Sequence, residues 1–157
     1  HDSKLTADEQ YTHITLWCIL GSPLLIGCDM AELDDFTLNL LCNSEVIDVN
    51  QDELGWQASR IYGDDSYATY LKPLADGTVA VAMFNLSSEP KKIGFIPRSL
   101  GVIGSQVIRD LWRQKDICTC GYHERWETEV APHGCVFVKL TPVQKNFVPE
   151  GFDKNIK

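Results

Sequence analysis

Two residues that could take part in chemistry, Cys28 and Asp29, stand at the end of a short apolar run, residues 23–29. If this run is a strand of a parallel sheet, Asp29 lies at its C-terminal end, where α/β barrels place their active sites. We therefore expect Cys28 and Asp29 to lie next to a substrate. A structural interpretation stays open for both, in which Cys28 packs as a small hydrophobe and Asp29 caps the following loop.

Cysteine and histidine also occur together nearer the C-terminus. Cys118 and Cys120 are separated by one residue and have His123 nearby, a spacing that departs from the paired motifs of common zinc sites. We therefore predict no metal site, and we expect no cofactor. A disulfide from Cys118 or Cys120 to Cys135 and free thiols both remain compatible with the sequence. His133 and Cys135 do not predict a nucleophile and its base, because no orienting third group is evident.

Two further features concern carbohydrate. Trp112 and Trp126 could form a platform on which a pyranose ring stacks, although aromatic residues on sandwich strands more often belong to the core. Residues 85–87, Asn-Leu-Ser, are a glycosylation sequon, which has meaning only if the chain is secreted by a eukaryote.

The first part of the chain has the pattern helix, strand, helix. Thr6 and Glu9 match a capping box at the start of a helix that ends near Leu20. Residues 23–29 contain Leu-Leu-Ile in succession, and a continuous apolar run of this kind predicts a parallel strand covered on both faces. Two adjacent aspartates begin a second helix over residues 34–43, where they complement the helix dipole.

A turn at residues 50–52, Asn-Gln-Asp, leads into a second part in which short strands alternate with turns. Residues 78–85 are apolar on both faces and predict a central strand. The other predicted strands are residues 67–71, 92–96, 106–112, 125–130 and 135–140. Short antiparallel strands at this spacing indicate a β-sandwich over residues 61–142, and residues 143–157 read as a loose tail.

Charge and hydropathy exclude some classes of partner. The net charge is −8, and the first 66 residues hold 13 acidic but only 2 basic side chains. Such a surface repels phosphate, so we expect no nucleic acid partner and favour an uncharged ligand. The sequence has no apolar run of about 18 residues, so we predict no association with a membrane.

Several motifs, in order and at matching spacing, resemble one family. LTADEQYTHITLWCILGSPLLIGCDM and NSEVIDVNQDELG, followed by DGTVAVAMFNLS, IRDLW and VAPHGCVFVKLTP, are similar to the C-terminal end of glycoside hydrolase family 27, the α-galactosidases (melibiases) and α-N-acetylgalactosaminidases. The chain departs from that family at Glu53, where proline is usual, and the segment ICTCGYHE resembles an insert.

The resemblance implies a fold class of α/β plus all-β: the last β/α elements of a (β/α)8 TIM barrel, followed by a C-terminal antiparallel β-sandwich. Residues 1–60 would then be the barrel fragment. Within it, residues 5–20 would be the seventh helix, residues 23–29 the eighth strand and residues 34–43 the eighth helix.

The resemblance also implies retaining hydrolysis by two aspartates at the ends of the fourth and sixth strands. Those positions precede His1 in the family's order, so we assign no catalytic residue to this chain and expect it to be inactive alone. The intact enzyme would act on a galactoside-containing oligosaccharide or glycoconjugate, in a secreted, periplasmic or lysosomal setting. The alternative is a carbohydrate-binding or purely structural β-sandwich without catalysis. The sequence does not indicate an oligomeric state.

Overall fold

The computed structural model describes residues 3–143 of the chain. Three α-helices come first: α1 (Ala7–Ile19), α2 (Asp35–Leu41) and α3 (Ser44–Asn50). Eight strands follow: β1 (Ser59–Gly63), β2 (Tyr67–Pro73), β3 (Val79–Asn85), β4 (Lys91–Phe95), β5 (Gln106–Asp110), β6 (Lys115–Cys120), β7 (Trp126–Val130) and β8 (Cys135–Pro142). Short 3₁₀ helices occur at Met30–Glu32 and Pro97–Leu100.

Side chains that cap the helices explain where they begin. The Thr6 hydroxyl accepts a hydrogen bond from the Glu9 amide at 3.3 Å, and the Glu9 carboxylate accepts one from the Thr6 amide at 2.8 Å. The structure therefore contains the predicted capping box at α1. Asp34 accepts from the Thr37 amide at the start of α2. Asn43 caps α3, so a further helix follows the one predicted over residues 34–43.

The strands form two antiparallel sheets. The larger has the order β1-β2-β3-β8-β5-β6, and the smaller pairs β4 with β7. One face of the larger sheet packs against α1 and α3, and the other packs against the smaller sheet. The molecule therefore has three layers, and the antiparallel β-sandwich predicted from the sequence is confirmed.

The central position of β3 follows from its sequence. Ala80, Ala82 and Phe84 face the helices, whereas Val81 and Met83 face the smaller sheet, and all five side chains are buried. A strand that buries both faces lacks the alternation of apolar and polar residues seen in half-exposed strands. This is the pattern from which a central strand was predicted over residues 78–85.

The two edge strands of the larger sheet, β1 and β6, have no counterpart among the predicted strands. Both are mostly exposed, so apolar alternation does not mark them. The segment that resembles an insert contributes its first residues to β6, which pairs with β5 through an irregular register at Ile108 and Arg109. The first part of this segment therefore belongs to the larger sheet, in which β6 is an edge strand.

The strand predicted at residues 23–29 does not form in the described structure. Residues 22–27 have no regular secondary structure and pair with no other strand, and the Leu25 side chain is 84% exposed. A parallel strand needs hydrogen-bonding neighbours along its edges, and every described strand is paired within the two antiparallel sheets. The apolar run therefore lies at the surface of the helical segment as chain without regular secondary structure.

Two other features concern the ends and the surface. Within residues 3–143, no helix combines the length and apolar character needed to cross a membrane. Of the tail predicted at residues 143–157, all but Val143 lies outside the described residues.

Candidate functional site

Cys28 and Asp29 lie on the surface of the extended segment. The Asp29 carboxylate accepts a hydrogen bond from the Ala31 amide at 2.9 Å and caps the 3₁₀ helix Met30–Glu32. Cys28 is exposed, and its thiol is free. Within this chain Asp29 is therefore a helix cap, which agrees with the interpretation that it caps the following loop.

Several large apolar side chains of the helical segment are exposed. Leu25, Ile26 and Met30 have 84%, 51% and 68% of their surface exposed. Trp17 on α1 and Leu38 on α2 are also exposed. Contiguous apolar surface on a folded protein usually marks a place where another element or molecule packs.

A groove beside this surface separates α1 from the ends of α2 and α3. Its volume is about 270 Å³. Its lining includes His13, Trp17, Leu24, Ile26, Leu41 and Ile47. The groove is mainly apolar, so its chemistry favours packing of hydrophobic groups over proton transfer or metal binding.

The turn at residues 50–52 ties the helical segment to the sandwich. The Asn50 amide group donates to the Ser22 carbonyl at 2.8 Å, close to the end of α1. The Asp52 carboxylate accepts from the Ala75 amide at 2.9 Å, in the turn between β2 and β3. Asn50 is the last residue of α3, so the helix reaches into the segment predicted as a turn, and of these two contacts only that of Asp52 is with the sandwich.

Lys72 is a buried lysine that was not predicted from the sequence. Its side chain is fully buried beneath the helices, and its ammonium group donates to the Val49 carbonyl at 2.5 Å. Desolvation lowers the pKa of Lys72, and the nearby Asp52 carboxylate opposes that shift. Lys72 lies two residues after Tyr70 in β2, so both side chains are on the face of the sheet that meets the helices. This two-residue spacing was the sign in the sequence that Lys72 points inward.

His133 and Cys135 do not form a nucleophile and its base. The Cys135 sulfur lies 3.3 Å from the Thr15 hydroxyl, and burial raises the pKa of the thiol to about 11. The thiol is therefore protonated at neutral pH and is a poor nucleophile. His133 adopts a left-handed backbone conformation with φ of 54° in the turn before β8.

The other cysteines are also free thiols. Cys118 is exposed on β6, Cys120 is buried, and all six cysteines of the chain are unpaired by disulfides. Between residues 3 and 143, no group of three or more histidine, cysteine, aspartate or glutamate side chains has the geometry to hold a metal ion.

The two tryptophans considered for sugar stacking are half-buried. The Trp112 indole donates to the Thr15 hydroxyl at 2.9 Å and meets the Tyr11 ring edge-on at 4.8 Å. Trp126 packs against Phe95 with ring centroids 5.2 Å apart. Each tryptophan contributes to the core, and each also lines a surface cleft.

The asparagine of the sequon at residues 85–87 is buried and forms hydrogen bonds with the backbone. Asn85 is 1% exposed, and its amide nitrogen donates to the carbonyls of Glu89, Val130 and Ala131. Its side-chain oxygen accepts from the backbone amide of Ser87. The nitrogen that would carry a glycan is therefore engaged inside the folded protein.

The three-layer architecture defines the chain as an antiparallel β-sandwich preceded by a helical segment. Comparisons with known proteins identify the family. A family model described as the alpha galactosidase C-terminal beta sandwich domain matches residues 64–140, and one described as alpha galactosidase A matches residues 2–52.

Individual relatives agree with these matches. An α-galactosidase from Oryza sativa subsp. japonica is 36% identical over 136 residues, which cover 85% of this chain and 32% of the relative. A GH27 β-L-arabinopyranosidase from Geobacillus stearothermophilus has a TM-score of 0.84 at 33% identity, over 91% of this chain and 32% of that one. For α-galactosidase I from Mortierella vinacea the TM-score is 0.81 at 27% identity, with 88% and 36% covered.

The chain belongs to glycoside hydrolase family 27 and corresponds to the C-terminal portion of an α-galactosidase-like protein. The resemblance and the fold class predicted from the sequence motifs are confirmed. The chain spans about a third of the length of the relatives it matches.

Proposed function

We propose that this chain is the C-terminal part of a retaining α-galactosidase-like enzyme that releases terminal α-galactosyl residues from an oligosaccharide or glycoconjugate. The α-galactosidase relatives support the reaction class. In a retaining mechanism one carboxylate attacks the anomeric carbon and another protonates the leaving oxygen. In this proposal both carboxylates come from a portion of the enzyme that precedes residue 1.

The observation that carries the proposal is the apolar run at residues 23–29. Its sequence suits a strand covered on both faces, whereas in this chain it is irregular, unpaired and in large part exposed. We propose that it becomes the last strand of a parallel barrel once the other strands are present. The exposed Leu25 and Ile26 side chains would then be buried.

The proposed organisation follows from that assignment. Residues 1–60 are the barrel fragment, residues 61–142 are the sandwich, and residues 143–157 are a tail. The Asp52 carboxylate and the buried ammonium of Lys72 hold the fragment against the sandwich. The role proposed for the sandwich is to support the end of the barrel.

In this arrangement Cys28 and Asp29 lie at the mouth of the barrel, next to the substrate. Their position directly after the unpaired run supports this assignment, because catalytic barrels bind substrates at the C-terminal ends of their strands. Asp29 already holds a backbone amide through one oxygen. It would therefore act by orienting neighbouring groups rather than by attacking the sugar.

Activity measurements test the proposal. The 157-residue chain alone should not hydrolyse an aryl α-galactoside, whereas a longer protein that includes the preceding sequence should do so. In the longer protein, Asp29→Asn should lower kcat/KM by roughly tenfold, the loss of one oriented hydrogen bond. Asp34→Asn, which alters another N-terminal helix cap, is the matched control and should leave kcat/KM nearly unchanged.

Three results would contradict the proposal. Turnover by the 157-residue chain alone, at a rate comparable with that of the longer protein, would show that the reaction does not need the preceding sequence. An inactive but folded longer protein would overturn the proposed activity. An equal effect of both substitutions would remove Asp29 from the substrate's surroundings.

A further inference from the structure

The sandwich has an open cleft where β7 faces the larger sheet. The cleft has a volume of about 330 Å³. Trp126 and Thr128 on β7 line one wall, and Ile117 on β6 and Val136 on β8 line the opposite one. Because the smaller sheet has only two strands, its β7 edge leaves this part of the interior accessible.

Charged groups form the rim of the cleft. Asp110, the last residue of β5, makes an ion pair of 2.9 Å with Arg113 in the turn that follows, and the Asp110 carboxylate also accepts from the Arg113 amide at 3.0 Å. The ion pair engages one of the five N–H donors of the guanidinium group. The Arg113 side chain remains 71% exposed. Asp8 and Glu129 add carboxylate acceptors to the rim.

A second, smaller cleft adjoins the first. Its volume is about 140 Å³, and it shares Asp8, Arg113 and Cys135 with its neighbour. Tyr11 and Trp112 provide its aromatic wall. The two clefts are therefore continuous along a common rim, and each has one indole ring in its lining.

We propose that these adjoining clefts are an accessory saccharide-binding site with two subsites, one at Trp126 and one at Trp112. A neutral pyranose has apolar C–H faces that pack against aromatic rings and hydroxyl groups that need donors and acceptors. The clefts provide both kinds of partner: indole rings, a guanidinium donor and carboxylate acceptors. An oligosaccharide could follow the shared rim and place one ring in each cleft.

The residues that line this site come from the sandwich, the turn after β5 and the start of α1. Only the expectation that a galactosyl oligosaccharide is a suitable ligand rests on the proposed function. Binding can be measured on the 157-residue chain itself, which is expected not to hydrolyse the probe. Failure to bind would leave the hydrolysis experiment unaffected, and the two outcomes can be told apart.

The test is a titration of the 157-residue chain with raffinose, followed by NMR of the tryptophan indole N–H groups. The Trp112 and Trp126 resonances should shift together, with a dissociation constant in the millimolar range. Arg113→Ala should weaken binding by roughly tenfold, because a charged donor is lost. Arg125→Ala is the matched control, since it also removes an exposed arginine that pairs with a carboxylate, and it should not change the affinity.

Sorbitol at the same concentrations is the control ligand, because it has the hydroxyl groups of a sugar without a pyranose face. The absence of indole shifts with raffinose would overturn the proposal. So would equal shifts with sorbitol, or equal weakening by Arg113→Ala and Arg125→Ala. Both substituted residues are exposed, so neither change is expected to unfold the chain.

Discussion

The sandwich and the helical segment before it differ in how they bury their apolar side chains. The sandwich encloses its own core, since β3 is covered by helices on one face and by the smaller sheet on the other. The helical segment buries Cys18, Val46 and Val49 against the larger sheet. Its outer surface, by contrast, carries the unpaired run at residues 23–29. One region is therefore complete within this chain, and the other is covered only where the sandwich meets it.

Polar contacts determine how the two regions fit together. Glu45 on α3 accepts two hydrogen bonds from the Arg109 guanidinium on β5, at 2.7 and 2.8 Å. Asn43 donates to the carbonyls of Leu111 and Trp112 in the turn after β5. Bidentate and buried hydrogen bonds of this kind require one orientation of their partners. The helical segment is therefore held in a defined position even though its outer face is uncovered.

The largest expected effect comes from the core that both regions share. Phe137 on β8 is 1% exposed and packs in the cluster between the helices and the larger sheet. Phe137→Ala should reduce the free energy of unfolding by about 3–5 kcal/mol, through lost burial and a residual cavity. Urea denaturation followed by circular dichroism measures the change.

The matched control is Ile103→Ala, which shortens an apolar side chain that is 85% exposed. It should change the free energy of unfolding by less than about 0.5 kcal/mol. If Phe137→Ala unfolded the helical segment while the strands kept their hydrogen-exchange protection, the shared core would not couple the two regions. If the whole chain lost protection together, the coupling would be supported.

A second prediction concerns the interior of the sandwich. Asn85→Asp keeps the shape of the side chain but removes the amide group that donates to three backbone carbonyls. The new carboxylate would meet carbonyl oxygens without donors between them, so we expect a loss of about 2–4 kcal/mol in the free energy of unfolding.

Asn39→Asp provides the comparison for this change, because Asn39 is exposed on α2. A thermal melt of both variants at neutral pH should show a clear decrease in Tm for Asn85→Asp alone. Similar Tm values for the two variants would mean that the buried amide contributes little to the sandwich.

The sandwich could be predicted from the sequence more completely than the helical segment. Residues 78–85 are apolar at every position but two, and their partner strands, β2 and β8, coincide with strands predicted from the sequence. The edge strands β1 and β6 were not predicted, because their mostly exposed residues show no alternation of apolar and polar side chains. Secondary structure at an edge is set by the hydrogen bonds of the adjacent strand, which the local sequence does not reveal.

Residues 23–29 illustrate the opposite case. The sequence pattern there is that of an interior strand, but a strand exists only where a neighbour accepts its hydrogen bonds. The cap formed by Asp29 and the turn at residues 50–52 could both be anticipated from their residue types. The burial of Lys72 could not be read from its residue type, because a lysine among apolar residues is more often exposed.

A third prediction addresses the uncovered face of the helical segment. The double substitution Leu25→Ser and Ile26→Ser removes two exposed apolar side chains from the unpaired run. If this surface drives self-association of the isolated chain, the association constant should fall by roughly tenfold or more. Sedimentation velocity over a range of concentrations measures it, and the free energy of unfolding should stay nearly constant.

Ile103→Ser is the control in the sandwich, since Ile103 is as exposed as Leu25 but lies far along the chain from the unpaired run. An equal effect of both changes would mean that association does not depend on residues 23–29. If the parent chain is monomeric and its residues 23–29 resist hydrogen exchange, the conclusion that the helical segment has an uncovered face is wrong.

The smallest expected effect is a pH dependence that belongs to the sandwich. Burial alone would raise the pKa of Asp76, but hydrogen bonds from Lys139 and Thr78 lower it from 3.8 to about 2. The ionised carboxylate is therefore favoured in the folded state. Its contribution to stability is complete above the unfolded-state pKa of 3.8 and is lost as the pH falls towards 2.

Asp76→Asn should remove this contribution, which we expect to be about 1 kcal/mol at pH 7, because solvent screens an ion pair whose carboxylate is half exposed. The difference between parent and variant should shrink as the pH falls below 3.8 and vanish only below about pH 2, and added salt should reduce it at pH 7. Asp65→Asn, in the exposed loop before β2, serves as the control in urea titrations at several pH values. A difference between parent and Asp76→Asn that stays constant from pH 7 to pH 2 would show that the Asp76 side chain acts through hydrogen-bond geometry and not through its charge.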